Sequence, residues 1–367
     1  MTRRSILVIG FPAARARHVL AELVRSEPEA ELWALVHPER AEEARLRARD
    51  LGLSDPERLR IVEGDPAALD FGLSGKAYLE LCDGIDVVHA AYSVQDPDTS
   101  EELAETVNVG AARELVELAR ASRRLEKIVF YSSVFVSGDR TGRVREHELE
   151  AGQGFRNAAE RTQAIAERML RRSGAKVIVL RAGHLLGGPT PGSTSRIVGP
   201  HLLMVLLVNA PLDTPFPLPP GAETRLPLTP LDFLARIGVH AAAEIPPGRT
   251  IHVVDPDAVT VRRFLELVAE RSGHRLDTGF SLGAIPRALI GNPAARLLQS
   301  SLRGLFEVLS TSAEYDTEGI VEIATRGGPR CPSLSEYLDR WIESARVQIQ
   351  PSALDVSRYE HAPFLVA

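Results

Sequence analysis

Proton chemistry needs a titratable side chain, and two of the types that serve it, Tyr and Lys, are scarce in the middle of this 367-residue chain. No Tyr stands between Tyr131 and Tyr315, and no Lys between Lys127 and Lys176; the one other lysine is Lys76. Three groups with chemical reach remain. Tyr92 is a phenol just past an apolar run, and Ser133 is a hydroxyl at the end of another. His184 is of the type whose charge changes near neutrality. A lone His is more often a hydrogen-bonded structural residue than an acid or base, and Tyr92 has packing as its plain alternative. Arg15 and Arg17 follow Gly10 closely enough to put charge beside a phosphate. Their plainer reading, and the favoured one, is a solvated helix face. Glu146-His147-Glu148 reads as surface. Cys82 and Cys331 are too far apart for a disulfide framework or a metal-ligand spacing. Reduced thiols in a cytoplasmic protein are expected, with no metal.

These residues must be carried by a scaffold, and the first half of the chain announces one. Short apolar runs alternate with longer amphipathic ones. Strands are expected at Ile6–Ile9, Leu32–Val36, Leu59–Val62, Ile85–His89, Lys127–Tyr131 and Lys176–Leu180. Helices are expected at Ala13–Arg25, Glu39–Leu51, Glu101–Ser122 and Asn157–Ser173. Continuously apolar strands alternating with helices predict a parallel sheet covered on both faces: an α/β, Rossmann-type, doubly wound fold. Its ligand crevice lies at the carboxyl ends of the strands. Past Gly187 the texture turns Pro- and Gly-rich. Helical runs follow near His201–Val208, at Val261–Arg271, at Ile285–Leu309 and at Ser333–Val347, with a strand at Ile251–Val254. The expected organisation is a Rossmann-like domain over 1–186, a smaller α-rich lobe over 187–349 that returns a strand and a helix to the core, and a tail over 350–367.

A formal net charge of −6 argues against nucleic acid or an anionic membrane as partner. No apolar stretch reaches the roughly 18–20 residues of a membrane span. The apolar runs at Leu202–Val208 and Ile285–Leu309 suit a cover over a hydrophobic small molecule, a homo-oligomer interface or plain core alike.

The ordered set of short pieces resembles the extended short-chain dehydrogenases/reductases, in the NAD-dependent epimerase/dehydratase and thioester-reductase-like branch. The pieces are Val8-Ile-Gly10, Gly64-Asp65, Val88-His-Ala-Ala91, Asn108-Val109, Tyr131-Ser-Ser133, Val136-Ser-Gly138, Arg181 before Gly187, Leu226–Asp232 and Cys331–Asp339. The resemblance covers roughly residues 5–347. It implies a Gly-x-x-Gly-x-x-Gly phosphate loop, where this chain has Gly10, Ala13 and Ala16. Gly10 keeps the tight turn, while a methyl at Ala13 stands where a bare backbone lets a pyrophosphate approach. NAD(P) binding is therefore expected to be weakened. Asp65 resembles the adenine contact, and Ala90 and Ala91 resemble the small residues of the dinucleotide channel, with fold maintenance as the even alternative. His37 stands where the ribose is read and favours neither cofactor, although nearby Arg40 suits a phosphorylated ribose.

The same resemblance implies a catalytic Ser, Tyr and Lys. Ser133 matches the Ser. Asn157 and Ala164-Ile-Ala166-Glu167 set the register of the helix, which puts Ala159 in the Tyr position and Gln163 in the Lys position. Ala159 transfers no proton and Gln163 supplies no cation to lower a phenol pKa; losing one acid/base group typically forfeits ~10²–10⁴-fold in rate. His184 then falls where the family's nicotinamide and substrate meet, and Tyr92 faces the crevice. The expected function is a non-redox step on a hydrophobic small molecule, served by Ser133, His184 and Tyr92. A ligand sensor or accessory partner is one alternative, and a reductase with another proton donor is the second.

Overall fold

The structure is a computed structural model, and it describes residues 3–53, 55–187, 199–210, 212, 216–219, 221–277 and 312–347. The run expected to be helical over 285–309 and the tail over 350–367 lie outside them. In chain order come β1 (Ser5–Ile9), α1 (Ala14–Ser26), β2 (Glu31–Val36), α2 (Ala41–Arg49), β3 (Leu59–Glu63), α3 (Gly75–Gly84) and β4 (Val87–Ala90). Then follow α4 (Glu101–Ala104), a π-helical run (Glu105–Gly110), α5 (Ala111–Ala121), β5 (Lys127–Ser133), β6 (Gly142–Val144), α6 (Ala158–Arg172), β7 (Val177–Ala182) and β8 (His184–Leu186). The remainder holds α7 (Pro200–Val208), β9 (Phe216–Pro217), β10 (Leu228–Pro230), α8 (Leu231–Glu244), β11 (Thr250–Val253), α9 (Val261–Ser272), β12 (Leu276–Asp277), β13 (Ala313–Tyr315), α10 (Glu318–Thr325) and α11 (Leu334–Val347).

Seven strands form one parallel sheet in the order β11-β7-β5-β4-β1-β2-β3. The chain winds outward in one direction from β1 and in the other from β4, so their carboxyl ends part to open a crevice. Strands β1, β4 and β7 are buried along their whole length, which is why they read as unbroken apolar runs. One face of the sheet is covered by α1 and α8, with Val8, Val19, Leu23, Phe233 and Ile237 in a common core. The other is covered by α5 and α6 through Leu7, Val88, Leu115, Phe130 and Leu170. Each such side chain taken from water stabilises by ~1.5–3 kcal/mol.

Helix α8 presses closely on β5. A Cβ at Gly238 would lie 1.9 Å from the Tyr131 hydroxyl, so glycine is required there. Beside the sheet, α7, α9 and α11 pack through Leu202, Leu207, Phe264, Val268, Leu338 and Trp341. No helix among the described residues is long and apolar enough to cross a membrane.

Candidate active site

The crevice begins at the turn after β1. Gly10 has φ +109°, and a Cβ there would meet the Ala91 carbonyl at 2.9 Å. Glycine is thus needed both for the turn and for the approach of the loop to the end of β4. Ala13 donates its N–H to the Gly10 carbonyl, and its methyl is buried in the loop. It precedes α1 with no side-chain cap and no acidic residue in the first turn. The first N–H groups of α1 therefore have no carboxylate competing for them. Ala90 and Ala91 are buried at the end of β4.

The flanking cofactor candidates are occupied with their own loops. Asp65 accepts from the Ala67 N–H at 2.9 Å, closing an Asx turn. His37 Nδ1 accepts from the Glu39 N–H at 3.4 Å, and Arg40 pairs with Glu43 at 2.8 Å. The Gly10 turn and the uncapped start of α1 leave backbone N–H groups that an anion could use, while the Ala13 methyl occupies the loop beside them.

Ala159 and Gln163 sit on the buried face of α6, whose start Asn157 caps by accepting from the Glu160 N–H at 2.9 Å. Gln163 is 1 % exposed and its Nε2 donates to the Tyr131 carbonyl at 3.4 Å. Its Oε1 and the Tyr92 hydroxyl are both buried without a hydrogen-bond partner among the described residues. Both residues line a cavity of about 10 Å³ with Ile9, Ala90, Asn108 and Phe130. Burial first, then the Asp65 carboxylate, pushes the Tyr92 phenol well above its ordinary pKa.

Ser133 ends β5, buried, with Oγ accepting from the Phe135 N–H at 3.2 Å. His184 starts β8; its N–H donates to the Pro227 carbonyl at 2.7 Å and its ring lies 4.7 Å from that of Phe135. Burial, aided by the Arg156 charge, lowers the His184 pKa to about 3, so the ring is neutral at physiological pH. The structure thus draws Tyr92 to Gln163 and sets Ser133 two residues from the ring that packs on His184.

Arg15 departs from the expectation of a solvated helix face. It is 1 % exposed, and its guanidinium reaches to the ends of β4 and β5. There Nη1 donates to Ser93 Oγ at 2.9 Å and to the Tyr131 carbonyl at 3.5 Å. Gln163 shares that carbonyl. The reason lies in helix geometry: Arg15, Val19 and Leu23 are spaced i, i+4, i+8, and all three are buried. Arg15 stands on the apolar row and is carried inward with it. Desolvation lowers its pKa to about 10, which leaves it charged at neutrality. Arg17 is only half buried. Ser93, the partner of Arg15, was not singled out in the sequence; its place one residue beyond Tyr92 is the signal.

One further surface expectation is corrected, that for Glu146, and Glu160 on α6 is drawn inward as well. Glu160 is 9 % exposed, and Arg156 pairs with it at 2.7 Å. Glu146 is half buried and accepts from the N–H groups of His252 at 3.0 Å and Gly319 at 3.2 Å. It is drawn inward because β6, just before it, pairs with β13 and so brings the start of α10 alongside.

A doubly wound parallel sheet with a glycine turn at the β1–α1 junction defines a protein of the Rossmann-type dinucleotide-binding class. Within that class, the NAD-binding family described as Male sterility protein matches residues 15–237, and this chain belongs to it. Glycine betaine reductase ATRR of Emericella nidulans is 28% identical over 281 residues, 72% of this chain and 22% of that protein. An adenylate-forming reductase of Serpula lacrymans is 28% identical over 207 residues, 51% of this chain and 18% of that protein. The chain therefore spans about a fifth of the length of these relatives. Among solved structures, the terminal R domain from the myxalamid PKS-NRPS biosynthetic pathway superposes with a TM-score of 0.74 at 23% identity, covering 98% of this chain and 92% of that one. UDP-glucuronic acid 4-epimerase from Bacillus cereus, in complex with UDP-glucuronic acid and NAD, gives 0.67 at 16% identity over 94% and 99%. These likenesses place the chain among extended short-chain dehydrogenase/reductase folds.

Proposed function

We propose that this protein uses the crevice of a reductase family for a non-redox step, such as dehydration, isomerisation or cyclisation, on a small molecule with a hydrophobic part. The observation that carries this reading is the state of α6. Ala159 and Gln163 are both packed inside, and Gln163 spends its amide on a backbone carbonyl. The groups left nearby do not titrate near neutrality, since Tyr92 is raised and His184 is lowered to about 3. Hydride delivery without a positioned acid leaves the developing alkoxide without its proton. Neutral His184 and the Ser133 hydroxyl can still orient a carbonyl or hydroxyl and exchange hydrogen bonds with it. A dinucleotide, when bound, supplies or accepts a hydride; the Gly10 turn and the first N–H groups of α1 are what this chain offers its phosphates.

A second reading, an NAD(P)H-dependent reductase with another proton source, is supported by the reductase names of the relatives and by the Arg15 cation at the Tyr131 carbonyl. Calorimetry with NADP⁺ and NAD⁺, followed by NADPH oxidation assays on an acyl thioester probe, separates the two. Aldehyde formed in step with NADPH consumption would end the non-redox reading. Turnover indifferent to both Ser133→Ala and His184→Ala would end the roles given to those residues and leave a ligand-binding accessory protein.

A further inference from the structure

Among the described residues three arginines are buried, and two of them are fully engaged. Arg58 donates to four backbone carbonyls, of Leu23, Val24, Glu27 and Ala30, around the end of α1. Arg181 uses Nε and Nη2 as a fork on the Glu167 carboxylate, at 3.0 and 2.7 Å, and turns Nη1 to His252 at 3.2 Å. Arg15 is arranged like Arg181 but stops halfway. Nη1 is turned to neutral partners, Ser93 Oγ and the Tyr131 carbonyl. Nε and Nη2, the same fork edge, are buried without an acceptor among the described residues. No carboxylate of the described residues forms an ion pair with Arg15.

From this we propose that the Nε/Nη2 edge of Arg15 binds a carboxylate carried by the small molecule that enters the crevice. A planar two-oxygen anion matches that edge, as Glu167 matches it on Arg181, and charge-assisted bidentate contacts are the strong ones where water is excluded. Ser93 and the Tyr131 carbonyl fix the plane of the guanidinium, so the edge is held at the carboxyl ends of β4 and β5. A phosphate presents the same pair of oxygens, which makes a dinucleotide the competing source of the anion. The inference rests on the proposed function only in placing the ligand in the same crevice.

The test titrates butyrate, inorganic pyrophosphate and NADP⁺ into the full chain and into Arg15→Gln, Arg15→Lys and Arg17→Gln. The expected result is butyrate binding that weakens at least tenfold in Arg15→Gln, survives in part in Arg15→Lys, and is unchanged in Arg17→Gln. Because Arg15→Gln could fail to fold, the Arg15 Nε–H resonance of the wild-type protein, identified by its loss in Arg15→Lys, is followed as butyrate is added. It should move downfield. Pyrophosphate or NADP⁺ binding that depends on Arg15, without butyrate binding, assigns the edge to the dinucleotide and overturns the carboxylate. Butyrate binding indifferent to Arg15, or a stationary Nε–H resonance, overturns it as well. NADPH-coupled reduction of the thioester probe would break the non-redox reading while leaving the carboxylate contact standing.

Discussion

Arg181 and Arg15 are each 1 % exposed, each at the carboxyl side of the sheet, and each held by a strand neighbour. Around Arg181 every strong donor is met. Glu167 closes the fork, Ser132 Oγ donates to the same carboxylate at 2.8 Å, and His252 bridges onward to the Asp316 carbonyl at 2.9 Å. That cluster ties β5, β7 and β11 to α6 and to the segment before α10. Around Arg15 the charge is desolvated without compensation from a carboxylate. Burial of a charge costs several kcal/mol unless its donors are met, and at Arg15 Nε and Nη2 are not met among the described residues. One ties strands and helix together; the other, on the proposal above, keeps a fork edge for a ligand.

The comparison breaks most visibly at Arg181. In Arg181→Met, Glu167 stays fully buried with its fork lost, keeping only Ser132 Oγ at 2.8 Å and the partly exposed Arg171 at 3.4 Å, and breaking a buried pair in this way costs about 3–5 kcal/mol. Urea unfolding followed by circular dichroism should show that loss at pH 7. A change under 1 kcal/mol would mean that the pair contributes little and that Arg181 does not differ from Arg15 in its effect on the fold.

A smaller effect is expected at Glu146, on the edge of the same cluster. Desolvation outweighs its bonds to His252 and Gly319, and with Asp316 nearby its pKa is raised from 4.5 to about 7. A raised carboxylate pKa means that the folded state binds the proton more tightly. The stabilisation is complete below about 4.5 and is lost as pH rises through about 7. Glu146→Gln keeps an oxygen for both N–H groups but has no proton to lose. The stability of wild type minus that of Glu146→Gln should therefore fall between pH 4.5 and 7, by on the order of 1 kcal/mol because the carboxylate is partly solvated. His252, lowered to about 3 by burial and by Arg181, acts in the opposite sense, and the difference measurement cancels it. A flat difference across that range would show that Glu146 is solvated in solution.

Much of the architecture was legible in the sequence because strands buried on both faces have no polar alternation to blur them. Ile6–Ile9 and Lys176–Leu180 are such runs, and β1 and β7 fall on them within two residues. Helix α8 was passed over although the pattern is there: Asp232, Arg236, His240 and Glu244 recur at helical spacing on its unburied side, while Leu231, Phe233, Gly238 and Ala242 are buried. At the site, the register that placed Ala159 and Gln163 opposite the crevice follows from Asn157, which does cap α6. Arg15 and Glu146 were misread because exposure was inferred from residue type. For Arg15 the correcting signal was local, the row it shares with Val19 and Leu23. For Glu146 it was not: the pairing of β6 with β13 joins residues about 170 apart, and no local pattern reports it.

The smallest expected effect is the most telling for the crevice. Arg15→Met removes a buried charge and leaves no carboxylate behind, since Ser93 Oγ and the Tyr131 carbonyl are neutral. Replacing a buried ionic group with an apolar one of similar length is often neutral or stabilising. The free protein should therefore unfold within about 1 kcal/mol of wild type, or at higher urea, against the several kcal/mol lost in Arg181→Met. A penalty as large as that of Arg181→Met would mean that Arg15 is saturated by contacts within the fold, making it a second structural arginine. Unchanged or raised stability means that the fold gains nothing from this cation, and what keeps it in the crevice must be something that binds there.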